Sequence, residues 1–190
     1  ATSACRSAAS ARLRDDIRYP DRLRLRETAM VTNIRLAGVG GQGILVASEL
    51  LCDVLLESGF DVKKSEIHGM AQRGGTVNSD VRFGEKVYSP IIPSGEVDIL
   101  LAFERMEYPA DIEDHVKART DRLVGIDALS LAREAGSVRG VNVCLLGVLS
   151  AFMEIGEPVW ESAITERFTN KGLEANLRAF ALGREAAGKP

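Results

Sequence analysis

The sequence predicts an α/β protein with a Rossmann-like open, mostly parallel sheet, flanking helices, a β-hairpin insertion and a helical C-terminal layer. Three observations carry this expectation. A glycine-rich turn at residues 38–43 sits between a short apolar strand pattern and a helical one; strand and helix patterns then alternate to residue 136; and the last third is helical in period. With 190 residues, 45% hydrophobic and 27% charged, the chain is long enough for one domain with a substantial core.

Residues 33–37 read as a buried strand, 38–43 as a tight turn, and 44–58 as a helix closed by Gly59, which together make a β-loop-α unit. A second strand is expected over 60–65. Residues 76–83 alternate as a strand, Gly84-Glu85 supplies a turn, and 86–89 return to complete the hairpin before Pro90 stops it. The run 97–103 is apolar enough for a central strand covered on both faces. A short helix over 111–119, a strand over 123–127 and a helix over 128–135 follow. Helices over 141–155, 159–168 and 172–182 form the C-terminal layer.

Residues 1–29 differ in kind: rich in Ala, Ser and Arg, they hold no apolar block, and Asp15, Asp16, Asp21 and Glu27 interrupt the basic residues. They are read as a poorly ordered leader or tail, and residues 30–190 as the single domain. No apolar run approaches a membrane span. A net charge of -3 gives no general drive toward nucleic acid or an anionic membrane. Cys5, Cys52 and Cys144 lie far apart without CxxC spacing, which points to a reducing cytoplasm and writes no local metal or cluster site.

Two segments carry candidate chemistry. The turn Gly38-Val39-Gly40-Gly41-Gln42-Gly43 contains GxGxxG in strand-to-helix context, so Gly38, Gly40, Gly41, Gln42 and Gly43 are candidate cofactor-binding residues. Glycines there permit close ligand approach, and helix N-terminal amides favour an anion. The same glycines equally serve close helix–strand packing. For a dinucleotide, an acid should follow on the next strand, and Glu66 is near that place.

The second segment runs from Ser65 to Val77. Glu66, His68, Gly69, Gln72, Arg73, Gly74 and Gly75 combine flexible backbone with donors of different charge and reach, suited to a substrate or a partner. Arg73 suits bidentate binding of a carboxylate or phosphate, with a surface salt bridge as the plain alternative. His68 lacks a metal-spaced partner. Both segments lie at carboxyl ends of strands, which places them side by side on one rim. Glu104 and Asp127 also end strands, but two carboxylates at unknown separation define no acid/base pair. No catalytic residue and no metal ligand is assigned.

Gly38 to Gly43, Glu66 to Val77, Val81-Arg82 with Val87-Tyr88-Ser89-Pro90, and Asn142 with Leu146-Gly147 together resemble the gamma domain of 2-oxoacid:ferredoxin oxidoreductases. Within that family, residues 68–75 and 176–183 are most similar to the small beta subunit of indolepyruvate ferredoxin oxidoreductase. The resemblance implies a place in amino-acid catabolism, where an arylpyruvate is decarboxylated oxidatively, electrons pass to ferredoxin, and coenzyme A receives the acyl group. It implies a non-catalytic subunit: thiamine diphosphate, magnesium and iron–sulfur clusters belong to a large partner subunit, because the chain has no GDG-type motif and cannot supply a four-thiolate cluster. A pyruvate or 2-oxoglutarate enzyme's gamma subunit is the related alternative, and a stand-alone dinucleotide-binding oxidoreductase the one from another class. Against the family pattern, about 35 residues are missing after Glu104, an element about the size of a βαβ crossover.

Overall fold

A computed structural model describes residues 31–68, 75–103, 123–168 and 172–188. The expectations for residues 1–29, for the helix over 111–119 and for Glu104 lie outside these residues. The elements are β1 (Thr32–Val39), α1 (Ile44–Glu57), β2 (Asp61–His68), β3 (Thr76–Gly84), β4 (Ile99–Ala102), α2 (Ala128–Glu134), a 3₁₀ turn (Val138–Gly140), α3 (Val141–Ser150), α4 (Glu157–Arg167) and α5 (Leu173–Ala187). The four strands form one open sheet in the order β2-β3-β1-β4.

The α/β class, the open sheet, the flanking helices and the helical C-terminal layer stand as expected. The sheet is mixed: β1 pairs parallel with β4, whereas β3 pairs antiparallel with both β1 and β2. The cause is the connection after β2. Parallel neighbours need a crossover of a dozen or more residues, and the shorter link from His68 to Thr76 returns the chain antiparallel. β3 thereby occupies the slot between β1 and β2, which remain co-directional across it.

Four local expectations are corrected. Residues 86–89 form no strand, because both edges of β3 are already paired; the hairpin is instead β2 with β3. The run 97–103 contracts to the four residues of β4, which lies at the end of the strand order rather than at its centre, with Leu100 61% exposed. Residues 123–127 form no strand with the described residues, and Leu123 and Val124 are exposed. The helix expected over 141–155 also ends at Ser150, although Met153 and Ile155 beyond it stay buried.

The core lies on one face of the sheet. Ile34, Leu36, Val81 and Phe83 point from β1 and β3 into α1, whose Leu50, Leu51, Val54 and Leu55 are fully buried. α3 and α4 pack on α1 from outside, and α5 packs on α3. That last contact is backbone-close: a Cβ on Gly147 would collide with the Phe180 carbonyl, and one on Gly183 with the Cys144 carbonyl. Trp160 stacks on Phe180 at 5.7 Å beside this crossing.

Candidate functional site

The rim begins where β1 runs out at Val39. Gln42 folds its side chain back so that its Oε1 accepts from the Val39 amide at 2.9 Å, and its own amide donates to the Val39 carbonyl at 3.2 Å. The turn is thus stapled by one of its own residues. Gly40 then donates to the Gly75 carbonyl at 2.9 Å, so the two glycine segments touch, as the strand ends implied. Val39 and Thr76 are register partners immediately below this bond.

The glycines divide by role. A Cβ on Gly38 would lie 2.5 Å from Gln42 Oε1 and 2.9 Å from Phe103 Cβ, so this position serves close packing. Gly43 is the N-cap of α1 in left-handed conformation (φ 78°), and a Cβ there would lie 2.7 Å from Asn142 Nδ2. Gly41, with φ 104°, has nothing within 4 Å of such an atom and faces open space. No side chain caps α1, leaving its first-turn amides to water or an anion. Asn142, buried on α3, donates from Nδ2 to the Gly43 carbonyl at 3.3 Å and accepts from the Val143 amide at 2.9 Å. It ties the C-terminal layer to the turn. Sequence reading gave Asn142 no role because its partner is 99 residues away.

The second segment is the connection within the β2–β3 hairpin. Ser65, Glu66, Ile67 and His68 belong to β2, with His68 opposite Val77 at the last paired position. Gly69, Gln72, Arg73 and Gly74 lie outside the described residues, as does the His68 side chain. Glu66 stands opposite Ser79, within the strand, and forms an ion pair with Lys64, which also approaches Glu49 of α1 at 3.9 Å. One antiparallel strand separates β2 from β1. In a dinucleotide fold the second strand lies directly beside the first, so the one inserted strand sets Glu66 roughly 5 Å further from the turn than the ribose-binding acid there. The dinucleotide reading loses its acid.

The remaining titratable candidates are structural. Asp127 caps α2: its carboxylate accepts from the Ser130 amide at 3.0 Å and hydroxyl at 2.7 Å, which holds its pKa below the ordinary carboxylate value. Cys52 is half-buried and Cys144 buried, and desolvation pushes each thiol up to about 11. Protonated thiols on separate helices make poor metal ligands. Among the described residues, no three His, Cys, Asp or Glu side chains form a group able to hold a metal ion. No helix among them is long and apolar enough to cross a membrane.

The family described as "Pyruvate ferredoxin/flavodoxin oxidoreductase" matches residues 33–118 and 104–186. The chain is 36% identical over 194 aligned positions to "Indolepyruvate oxidoreductase subunit IorB" of Thermococcus kodakarensis, covering 82% of this chain and 95% of that one. Since 82% of 190 residues is about 156, about 38 of those 194 positions have no residue of this chain. The two family matches both use residues 104–118, directly after β4, where the missing crossover was expected. Among solved structures, the gamma subunit of a keto/oxoacid ferredoxin oxidoreductase from Geobacter sulfurreducens superposes with TM-score 0.62 at 22% identity, covering 82% of this chain and 98% of that one. A 2-oxoglutarate:ferredoxin oxidoreductase from Magnetococcus marinus gives TM-score 0.65 at 23% identity, over 83% of this chain and 31% of that one. These likenesses extend to the fold. Matched by the family along most of its body and sharing 36% identity with a relative that it spans almost entirely, the chain belongs to the pyruvate ferredoxin/flavodoxin oxidoreductase family.

Proposed function

We propose that this chain is the small subunit of an indolepyruvate-type 2-oxoacid:ferredoxin oxidoreductase, and that its glycine rim completes the active site of a large catalytic subunit. The observation that carries the reading is its 36% identity to an indolepyruvate oxidoreductase subunit over 95% of that subunit's length. The joined rim supports it: two glycine segments held by the Gly40–Gly75 bond form one surface at the carboxyl ends of β1 and β2.

The donor set of the chain does not suit the resident cofactors of such an enzyme. Its described cysteines are desolvated and apart, so thiamine diphosphate, magnesium and the iron–sulfur clusters belong to the large subunit in this reading. What the chain contributes is positioning. Gln42 and Asn142 fix the turn, the uncapped amides of α1 offer a place for an anionic part of coenzyme A, and the segment carrying His68 and Arg73 faces the partner. A reducing cytoplasm fits both the free thiols and this chemistry.

The test is to co-express the chain with its large subunit and assay ferredoxin reduction with indolepyruvate, pyruvate and 2-oxoglutarate. Indolepyruvate should give the highest kcat/KM. Preference for another 2-oxoacid would replace the substrate assignment, and turnover by the isolated chain would overturn the subunit reading.

A further inference from the structure

Between the C-terminal half of α1 and that of α4 lies a groove of about 510 Å³, lined by Asp53, Leu56, Glu57, Ala163, Glu166 and Arg167. Its charges do not balance. Arg167 is the one cation of this lining, and it is already shared between Glu49 and Asp53, the latter at 3.7 Å. Glu57 and Glu166 make no ion pair with a described residue. Burial, and then the like charge of Glu166, raise the Asp53 carboxyl above its ordinary pKa, as expected of acids crowded without enough counter-charge. Among these carboxylates Leu56 stands 56% exposed.

The chain enters the sheet at the same end of the molecule. Thr32, at the start of β1, is the register partner of Phe83, whose ring meets Phe60 edge-on at 5.2 Å. The Phe60 amide in turn donates to the carbonyl of Leu55, the neighbour of Leu56, at 3.1 Å. The start of β1 and the end of α1 that carries the groove thus lie together, opposite the glycine rim. At about 3.3 Å per extended residue, six residues before Thr32 cover roughly 20 Å, about two helix diameters. That brings residues 22–26 within reach, and they read Arg-Leu-Arg-Leu-Arg. Residues 1–29 contain seven arginines, no lysine and four acids; of the chain's 24 basic and 27 acidic residues, 17 and 23 lie after them. A basic arm is therefore tethered to an acidic body. The family match begins at residue 33, after the arm.

We propose that residues 22–26 dock in the α1–α4 groove of their own chain, with the arginines on Asp53, Glu57 and Glu166 and the leucines beside Leu56 and Ala163, so that the arm clasps α1 to α4. Charge complementarity, reach and tethering choose this occupant. Three guanidinium groups match three carboxylates, each pair capable of bidentate bonding, while the arginine stems and two leucines cover the apolar part of the lining. A short tether raises the local concentration of the arm to the millimolar range, so contacts too weak to hold a free peptide suffice. The clasp does not depend on the subunit reading above.

The experiment uses the full chain with Cys5→Ser and Tyr19→Cys, places a nitroxide on the introduced thiol, and reads the amide signals of isotope-labelled protein by NMR; Cys52 and Cys144 are shielded by their burial. Signals of residues 53–57 and 163–167 should lose at least half their intensity beside the oxidised nitroxide relative to the reduced one. They should regain most of it between about 0.1 M and about 1 M salt, as the screening length falls from about 10 Å to about 3 Å. Replacing Arg22, Arg24 and Arg26 by Gln should remove the loss, and so should Glu57→Gln combined with Glu166→Gln. Exchanging the charges, with Glu57→Arg and Glu166→Arg against Arg22→Glu, Arg24→Glu and Arg26→Glu, should bring it back, which a misfolded variant cannot do. Uniform intensities, a loss centred on another surface, or a loss that persists in Glu57→Gln with Glu166→Gln would overturn the proposal. A loss that appears only when nitroxide-bearing chain is mixed with labelled chain lacking it would assign the groove to the arm of a second copy. Groove signals that respond only to added large subunit would assign it to that partner. Either result refutes the intramolecular clasp and leaves the subunit reading untouched.

Discussion

Replacing Gly43 with alanine tests whether the turn is held by Asn142 or only by its own backbone. At φ 78° an alanine takes a left-handed conformation that costs about 1–2 kcal/mol. Its Cβ would also lie 2.7 Å from Asn142 Nδ2 and 3.3 Å from Cγ, so a buried side chain must move and give up its 3.3 Å bond to the Gly43 carbonyl. That loss is about 1 kcal/mol, and the crowding adds about 1 more. The total is about 3–4 kcal/mol. Gly41→Ala is the control: its φ is 104°, but nothing stands within 4 Å, so only backbone strain of about 1–2 kcal/mol applies. Thermal unfolding followed by the emission of Trp160, the only tryptophan, reads both. At about 2–4 °C per kcal/mol, Gly43→Ala should lower Tm by roughly 6–16 °C and Gly41→Ala by roughly 2–8 °C. In the Asn142→Ala background, each variant should keep only its backbone term, so the gap between the two should close. Equal losses in the wild-type background, or an unchanged gap with Asn142→Ala, would refute the clamp.

Three further outcomes follow from the same geometry. Gly183→Ala and Gly147→Ala drive a methyl into backbone across the α3–α5 crossing, so each should destabilise by about 1–3 kcal/mol; without that contact, alanine's helix propensity would stabilise by about 1 kcal/mol, and the sign of the urea midpoint shift decides. Asp61 is held down to about 2, first by its bond from Lys63 and then by the Val87 amide. A depressed carboxyl stabilises the fold above its unfolded pKa of about 3.9 and loses that contribution as pH falls toward 2, so exchange of the Val87 amide, corrected for intrinsic rate, should accelerate in that window and be pH-independent there in Asp61→Asn. With their thiols pushed up to about 11, Cys52 and Cys144 should resist iodoacetamide at pH 8 in the native state and react on unfolding, as mapped by mass spectrometry; fast native labelling of Cys144 would contradict its burial.

The parts of the fold legible in the sequence are those with local causes. β1, the glycine turn and α1 follow from an apolar strand, a glycine cluster and a helical period, and the contact between the two glycine segments follows from their shared position at strand ends. Where the reading failed, tertiary pairing overrode a local pattern. Val87 buried beside Tyr88 exposed reproduces strand alternation, yet the buried partner is a loop anchor held by Asp61 and Arg82. Met153 and Ile155 extend the apolar pattern of α3 past its end because both pack into the core from an irregular turn whose Ala151 and Glu154 are exposed. The place of β3 between β1 and β2 has no local signature, and with it went the parallel order and the reach of Glu66. Asn142 was quoted for its resemblance alone; its bond to Gly43 closes a loop that only the folded chain reveals.

The most direct measurement of the central claim adds this chain, at increasing concentration, to its purified large subunit and follows ferredoxin reduction with indolepyruvate and coenzyme A. A saturable rise from a low basal rate, with no turnover by the chain alone, is the predicted result. A large subunit fully active without it, or a chain that reduces ferredoxin unaided, would contradict the account.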